Sequence, residues 1–163
     1  MSHYISNFKN YYRKLNFIYS LLFLGLLLFM TVVYFFTKRH QFEFTDRDLK
    51  WIYLSLFGAV LVYFVSVLLK KRLSFQARQF KDIREKLDIY RSYYIINLGI
   101  VEAYGFMNTI WFLNTQNLVF LIFAAYSILL FLLMKPHPDK IIYLSGLNSS
   151  QQVYINEMEK PFD

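Results

Sequence analysis

The sequence predicts an all-α membrane protein, a bundle of four transmembrane helices. Four long apolar stretches alternate with polar segments that hold almost all of the charged residues. Charged residues make up only 18% of the 163-residue chain and hydrophobic residues 56%, whereas about a quarter of a soluble domain is charged. Aromatic residues reach 21%, which is typical of chains that lie in a bilayer and at its interfaces. We therefore expect a single integral membrane domain over residues 1–163.

Residues 1–16 form a basic, aromatic segment ahead of the first apolar stretch. Four apolar side chains recur there at helical spacing, which predicts a short helix at the membrane interface. These side chains are Tyr4, Phe8, Tyr11 and Leu15. Residues 17–36 then form an uninterrupted apolar stretch that is long enough to cross the hydrocarbon core as a helix.

The second apolar stretch, residues 51–69, follows a mixed-charge loop at residues 38–50. Thr45 precedes two acidic residues, Asp46 and Asp48, in a pattern that is typical of a helix N-terminus. We therefore expect a second transmembrane helix that begins close to the membrane interface.

Residues 70–92 hold eight Lys and Arg residues, three acidic residues and neither Pro nor Gly. Apolar side chains recur in this segment at helical spacing, so we expect a helical cytoplasmic extension between the second and third spans. Because the basic side chains flank apolar spans, anionic lipid headgroups are a better match for them than nucleic acid. The candidate headgroup ligands are Lys70, Lys71, Arg72, Arg78, Lys81, Arg84 and Arg91.

Residues 93–113 and 118–134 form the third and fourth apolar stretches, and a four-residue polar turn separates them. So short a turn predicts an antiparallel helical hairpin, and we expect the first two spans to form another. The tail, residues 135–163, begins with prolines that end the fourth helix. Ser149 and Gln152 fit a capping box, which predicts a short helix in the tail.

The distribution of basic residues predicts the orientation of the chain. Fourteen Lys and Arg residues lie in the N-terminal segment, residues 70–92 and the tail, against four in residues 38–50. This bias predicts that both termini and the 70–92 loop face the cytoplasm. We expect a multi-pass protein of the cell inner membrane.

Glu102 is the only formally charged residue inside the four apolar stretches. A carboxyl at that depth costs on the order of a few kcal/mol, so it needs a partner or a function. One interpretation is a protonated Glu102 that is hydrogen-bonded to a Tyr or Ser of a neighbouring span. The other is a proton or ion site, to which Asn97, Asn108 and Thr109 on the same helix would contribute.

Small residues lie around Glu102 and on the other spans, and such residues let helices approach closely in membranes. The candidate packing positions are Gly99, Gly105, Ala124, Ala125, Gly58 and Ala59. We interpret the chain as a non-enzymatic accessory or scaffold subunit that forms oligomers or joins a larger membrane complex through these positions. The alternative is a proton- or ion-conducting component that uses Glu102.

Several classes of site are not indicated by the sequence. The chain has no cysteine, and its three histidines are scattered without the spacing of a metal site. We therefore expect no metal, no cofactor and no thiol chemistry. No glycine-rich phosphate loop or nucleophile elbow is present either, so we expect no enzymatic activity.

The C-terminal half combines a basic amphipathic loop, a helix with a central glutamate, a polar turn and a last apolar helix. In this order it resembles a group of small uncharacterised bacterial inner-membrane proteins. The residues that carry the resemblance are Arg91, Glu102, Asn117, Pro136, Lys140, Ile141 and Ile142. The resemblance implies the same helical architecture and directs attention to Glu102, and it implies no activity.

Overall fold

The computed structural model describes residues 7–38, 42 and 45–157, except for the side chains of Arg47, Ser150, Tyr154 and Asn156. Every regular element in these ranges is a helix, which confirms the all-α prediction. The helices are α1 (Phe8–Phe36), α2 (Asp46–Ala77), α3 (Ile83–Thr115), α4 (Val119–Met134), α5 (Pro138–Ser145) and α6 (Ser149–Asn156). Tyr4 and the end of the tail at residues 158–163 lie outside the described residues.

Residues 8–16 of the N-terminal aromatic segment belong to α1, which continues into the first apolar stretch. No Pro or Gly interrupts the chain between Phe8 and Gly25, so the helix continues without a break. Its aromatic face is covered by protein, because Phe8, Tyr11 and Leu15 are all buried. The sequence predicted side chains at the membrane interface here, and in the structure protein covers Phe8 and Tyr11 instead.

The segment between the second and third apolar stretches is helical at both ends, as the sequence predicted. The N-terminus of α2 lies at the opposite end of that helix from this segment. Thr45 caps it, because the Thr45 Oγ1 accepts a hydrogen bond from the Asp48 N–H at 3.3 Å. The helix continues through residues 70–77 and ends at Ala77. α3 begins at Ile83, just after Asp82, whose carboxylate accepts a bond from the Arg84 N–H at 3.1 Å.

The polar turn between α3 and α4 is stabilised by Asn117, whose Oδ1 accepts a hydrogen bond from the Val119 N–H at 3.1 Å. Beyond α4 the chain bends by 83° into α5, a short helix that the sequence did not predict. Pro138 begins α5, and proline is well suited to the first helical turn. The capping box of α6 is formed by Asn148 and Gln151, one residue earlier than Ser149 and Gln152.

The chain groups into two compact units. The polar unit contains residues of Met1–Ser20, Val67–Asn97 and Lys135–Asp163, and the apolar unit contains Leu21–Ser66 and Leu98–Met134. α1, α2 and α3 therefore contribute residues to both units.

The core of the polar unit is built by the N-terminal part of α1, the C-terminal end of α2, the N-terminal end of α3 and the tail helices. Its buried side chains include Phe8, Tyr11, Leu15, Leu73, Ala77, Leu87, Tyr90, Ile141 and Ile155. Two tyrosine hydroxyls donate to backbone carbonyls across this core. Tyr11 donates to Leu87 at 2.9 Å, and Tyr12 donates to Pro136 at 3.2 Å.

In the apolar unit, the contacts between helices show the direction in which neighbours run. On α3 and α4, Gly105 lies against Ser127 and Trp111 lies against Phe120. Residue numbers therefore increase along α3 in the direction in which they decrease along α4. The two helices are therefore antiparallel, as their short connection predicted. The ring of Trp111 also lies 5.3 Å from that of Trp51 on α2.

Two helices in the described ranges are long and apolar enough to cross a membrane, α1 and residues Asp48–Ala77 of α2. A third crossing results if α4 and α5 form one bent span. α3 has ample length at 33 residues but is not among them. Its polar side chains at Asn97, Glu102 and Asn108 lower its hydropathy, although the region 93–113 contains a single charge.

Candidate functional site

Glu102 lies on α3 in the apolar unit, and its side chain is partly buried. It faces α1 at Gly25, where the carboxyl Oε1 is 4.0 Å from the position that a Cβ would take. Within the described ranges, no hydrogen bond or ion pair joins Glu102 to another residue. The tyrosine or serine partner that we expected on a neighbouring helix is thus not found in this part of the chain.

Three small residues lie on the surface beside Glu102. Gly25, Gly99 and Ala103 are all exposed, and a Cβ added to Gly99 would meet no atom within 4 Å. We call this surface, formed by Gly25, Gly99, Glu102 and Ala103, the Glu102 face. It presents a carboxyl group on an otherwise apolar helix surface where another backbone can approach closely.

Three of the predicted packing residues lie in contacts between helices. A Cβ on Gly105 would stand 2.8 Å from the Leu26 side chain and 3.1 Å from Ser127 Cβ. A Cβ on Gly58 would stand 2.9 Å from the ring of Tyr104. Ala124 is completely buried. Gly58 lets α2 approach α3, and Gly105 lets α1 and α4 approach it.

The other predicted packing residues are placed differently. Gly99 and Ala125 are exposed, and Ala59 is partly buried. Gly99 and Gly105 are six residues apart, which places them about 120° apart around a helix of 3.6 residues per turn. Because of this separation, Gly105 faces the bundle while Gly99 faces outward.

A cluster of buried polar groups surrounds one turn of α3 in the apolar unit. Asn108 and Thr109 are fully buried, and each bonds to a backbone carbonyl of its own helix, Asn108 to Tyr104 and Thr109 to Gly105. The Tyr104 hydroxyl donates to the Ser55 carbonyl of α2 at 2.9 Å. Asn97, which we grouped with them, is also buried but belongs to the polar unit.

Three oxygen atoms of this cluster have no hydrogen-bond partner within the described residues. They are Asn108 Oδ1, Ser55 Oγ and Ser127 Oγ, and they come from three different helices. Buried polar atoms of this kind are uncommon in native proteins, since almost all of them are hydrogen-bonded. The cluster therefore offers acceptor oxygens in an apolar interior.

Lys86 is a functional candidate that stands out in the structure, whereas in the sequence it is one of eight basic residues at 70–92. Its side chain is buried, and Nζ donates to the Gly146 carbonyl and to Gln151 Oε1, both at 3.0 Å. Burial lowers the pKa of the Lys86 amine below its ordinary value of 10.5. The sequence feature that could have indicated this burial is the position of Lys86 beside Ile83, Leu87 and Tyr90 on one helical face.

The candidate headgroup ligands are mostly accessible. Lys70, Lys71, Arg72, Arg78, Lys81 and Arg84 are exposed, and Arg91 is partly exposed. Arg91 forms an ion pair with Asp88 at 3.3 Å. Arg78 lies against Gly146, whose left-handed backbone ends α5 and favours glycine. Lys70, Lys71 and Arg72 are consecutive, and all three are exposed.

The chemistry available at the Glu102 face is hydrogen bonding and proton exchange by one carboxyl group. No group of three or more acidic or histidine side chains able to hold a metal ion occurs among the described residues. Comparisons with protein-family models, curated proteins and solved structures find no match for this chain.

Proposed function

We propose that the chain is a non-enzymatic, multi-pass protein of the cell inner membrane that serves as an accessory or scaffold subunit of a membrane complex. It would cross the bilayer four times through α1, α2, α3 and α4, with both termini in the cytoplasm. The length and apolar composition of α1 and α2 support a membrane location. The basic surface at Lys70, Lys71 and Arg72 would bind anionic lipid headgroups.

The observation that carries this proposal is the carboxyl group on the Glu102 face. A carboxyl in the hydrocarbon region is costly unless another group bonds to it, and the described residues provide no such group. The glycines beside it leave room for a second backbone. A transmembrane helix of another subunit, which includes a second copy of this chain, is the partner that meets both conditions.

The test is the mass of the particle that the protein forms in native lipid discs. We expect the parent protein to give a mass above the 19.7 kDa of one chain. Glu102→Leu should shift it to one chain, because leucine cannot hydrogen-bond. Glu102→Gln should keep the larger particle, because glutamine retains both the size and the hydrogen bonding of a protonated glutamate.

Glu85→Gln is the matched control, since Glu85 is an exposed carboxyl at the start of the same helix. It should leave the particle unchanged. A parent protein that is a single chain in native lipid discs would refute the proposal, as would a Glu102→Leu protein that keeps the full mass.

A second candidate function is proton or ion conduction through Glu102. The unpartnered oxygens of Asn108, Ser55 and Ser127 favour it, because ion pathways need acceptors inside the membrane. In proteoliposomes, a flux that the parent supports and Glu102→Gln abolishes would establish this function. Absence of flux from the parent would exclude it and would leave the subunit proposal untouched.

A further inference from the structure

A cavity of about 570 Å³ lies at the N-terminal end of α2 in the apolar unit. The described residues that line it are Asp46, Lys50, Trp51 and Leu54. All four come from the first turns of one helix and are exposed. The cavity thus combines a carboxylate, an amine, an indole and an aliphatic side chain in a fixed order along the helix axis.

The two charges in this cavity are open to an external ligand. Asp46 and Lys50 are four residues apart, a spacing at which opposite charges on a helix often pair. Here neither forms an ion pair with any residue in the described ranges. The helix dipole accounts for an acidic residue at Asp46, in the first turn, but it does not account for a lysine one turn later.

The order of these side chains matches the order of groups in a phospholipid that ends in a positively charged amine. In such a lipid the amine is outermost, the phosphate lies deeper, and the acyl chains follow. With Trp51 at the interface, where tryptophan is enriched, Asp46 lies outermost and Lys50 one turn deeper. Leu54 follows about 6 Å further toward the hydrocarbon, at 1.5 Å per residue.

We propose that this cavity binds a phospholipid with a phosphoethanolamine headgroup. Asp46 accepts hydrogen bonds from the ammonium group, and Lys50 pairs with the phosphate. Trp51 covers the glycerol region, and Leu54 packs against an acyl chain. A purely anionic headgroup fits less well, because it would bring no cation to the Asp46 carboxylate.

This inference requires only that α2 crosses the bilayer, for which the helix is long and apolar enough. It does not depend on the role of Glu102 or on the oligomeric state. Failure of the subunit proposal would therefore leave it standing, and its own failure would leave the subunit proposal standing.

The test uses the full-length protein in mild detergent, titrated with phosphatidylethanolamine or with phosphatidylglycerol, and native mass spectrometry counts the lipids that remain bound. We expect the parent to retain phosphatidylethanolamine in preference. Asp46→Asn and Lys50→Gln should each weaken that binding about tenfold, the equivalent of one charge-assisted contact. Lys50→Arg should preserve it, because arginine also pairs with phosphate.

Lys14→Gln is the matched control, since it removes an exposed lysine from another helix and should change nothing. Equal retention of the two lipids by the parent, or unchanged retention by both cavity variants, would overturn the proposal. Soluble phosphoethanolamine distinguishes the lipid from its headgroup alone. If it competes as well as the whole lipid, Trp51 and Leu54 make no contribution and the lipid assignment is wrong.

Discussion

Gly105 and Gly99 lie on the same helix but have opposite surroundings. A Cβ on Gly105 would meet the side chain of Leu26, which is itself fully buried, and Ser127 Cβ on the other side. A Cβ on Gly99 would enter open space. The same substitution at the two positions therefore separates the effect of packing from the effect of helix propensity.

We expect Gly105→Ala to lower the free energy of unfolding by about 1–3 kcal/mol, because the added methyl overpacks the contact between α1, α3 and α4. Gly99→Ala should leave it unchanged or raise it by up to about 1 kcal/mol, since alanine favours helix over glycine. Unfolding in detergent, followed by circular dichroism, measures both values. Equal effects of the two substitutions would contradict the packing described for Gly105.

The buried polar residues of α3 show what the amino-acid types alone can and cannot predict. Asn108 and Thr109 were grouped with Glu102 as contributors to one polar site, and in the structure their donors bond to carbonyls one turn earlier on α3. Local bonds of this kind are available to any Asn, Ser or Thr in a helix. The partner of such a side chain therefore depends on rotamer and packing, which a spacing argument does not contain.

At the scale of the helices, the sequence predicted existence and approximate length well. Long apolar runs and the Thr45 cap located α1, α2 and α4 because apolar length and capping are local properties. It was harder to predict which face of each helix packs against protein, because aromatic residues such as Phe8 and Tyr11 suit contacts with lipid and with protein equally well. α5 was missed because Pro136 and Pro138 mark the end of a helix as readily as the start of the next one.

Lys86 links the tail helices α5 and α6 to α3 by hydrogen bonds. Its amine bonds to the turn between them at Gly146 and to Gln151, whose own Nε2 donates to the Lys81 carbonyl at 2.7 Å. Both acceptors of the Lys86 amine are neutral, so no carboxylate offsets the burial of its charge. The charged form of Lys86 is therefore disfavoured in the folded protein.

This arrangement predicts that the contribution of Lys86 to stability increases with pH. The folded pKa is lowered, so below 10.5 the unfolded chain binds the proton more strongly, and stability rises as the pH approaches that value. The neutral amine keeps two N–H donors for Gly146 and Gln151. The measurement is the difference in melting temperature between the parent and Lys86→Met, from neutral pH up to pH 10, and we expect it to grow.

The melting experiment stops at pH 10 to avoid interference from Tyr90. Burial raises the pKa of the Tyr90 hydroxyl above its ordinary value of 10.0. The stabilisation from Tyr90 is complete below that value and is lost above it, as the unfolded chain ionises. A difference that shrinks with rising pH would show that Lys86 acts chiefly as a charged group. Lys14→Gln serves as the control, because Lys14 is exposed and should give no trend.

For the whole molecule, the central question is whether α3 crosses the membrane with its neighbours. The composition of α3 is weak evidence that it crosses, because Glu102 and two asparagines reduce its hydropathy. Its contacts in the apolar unit argue more strongly. α3 meets α1 where Phe29 and Phe106 lie 4.9 Å apart, and it meets α2 between Tyr104 and Ser55 and between Trp111 and Trp51. If α1 and α2 cross the bilayer there, α3 crosses beside them.

The chain contains no cysteine, so single cysteines introduced at its turns report topology without any background. Gln79 precedes α3 and Asn114 lies at its other end, and both are exposed. In a four-span arrangement with cytoplasmic termini, Asn114→Cys reacts with a membrane-impermeant thiol reagent in cells whose outer membrane alone has been permeabilised. Gln79→Cys reacts only after the inner membrane is disrupted, because fourteen basic residues against four favour its retention in the cytoplasm. Labelling of both positions from the same side would mean that α3 does not cross, and the packing of α3 against α1 and α2 would then lie outside the hydrocarbon core.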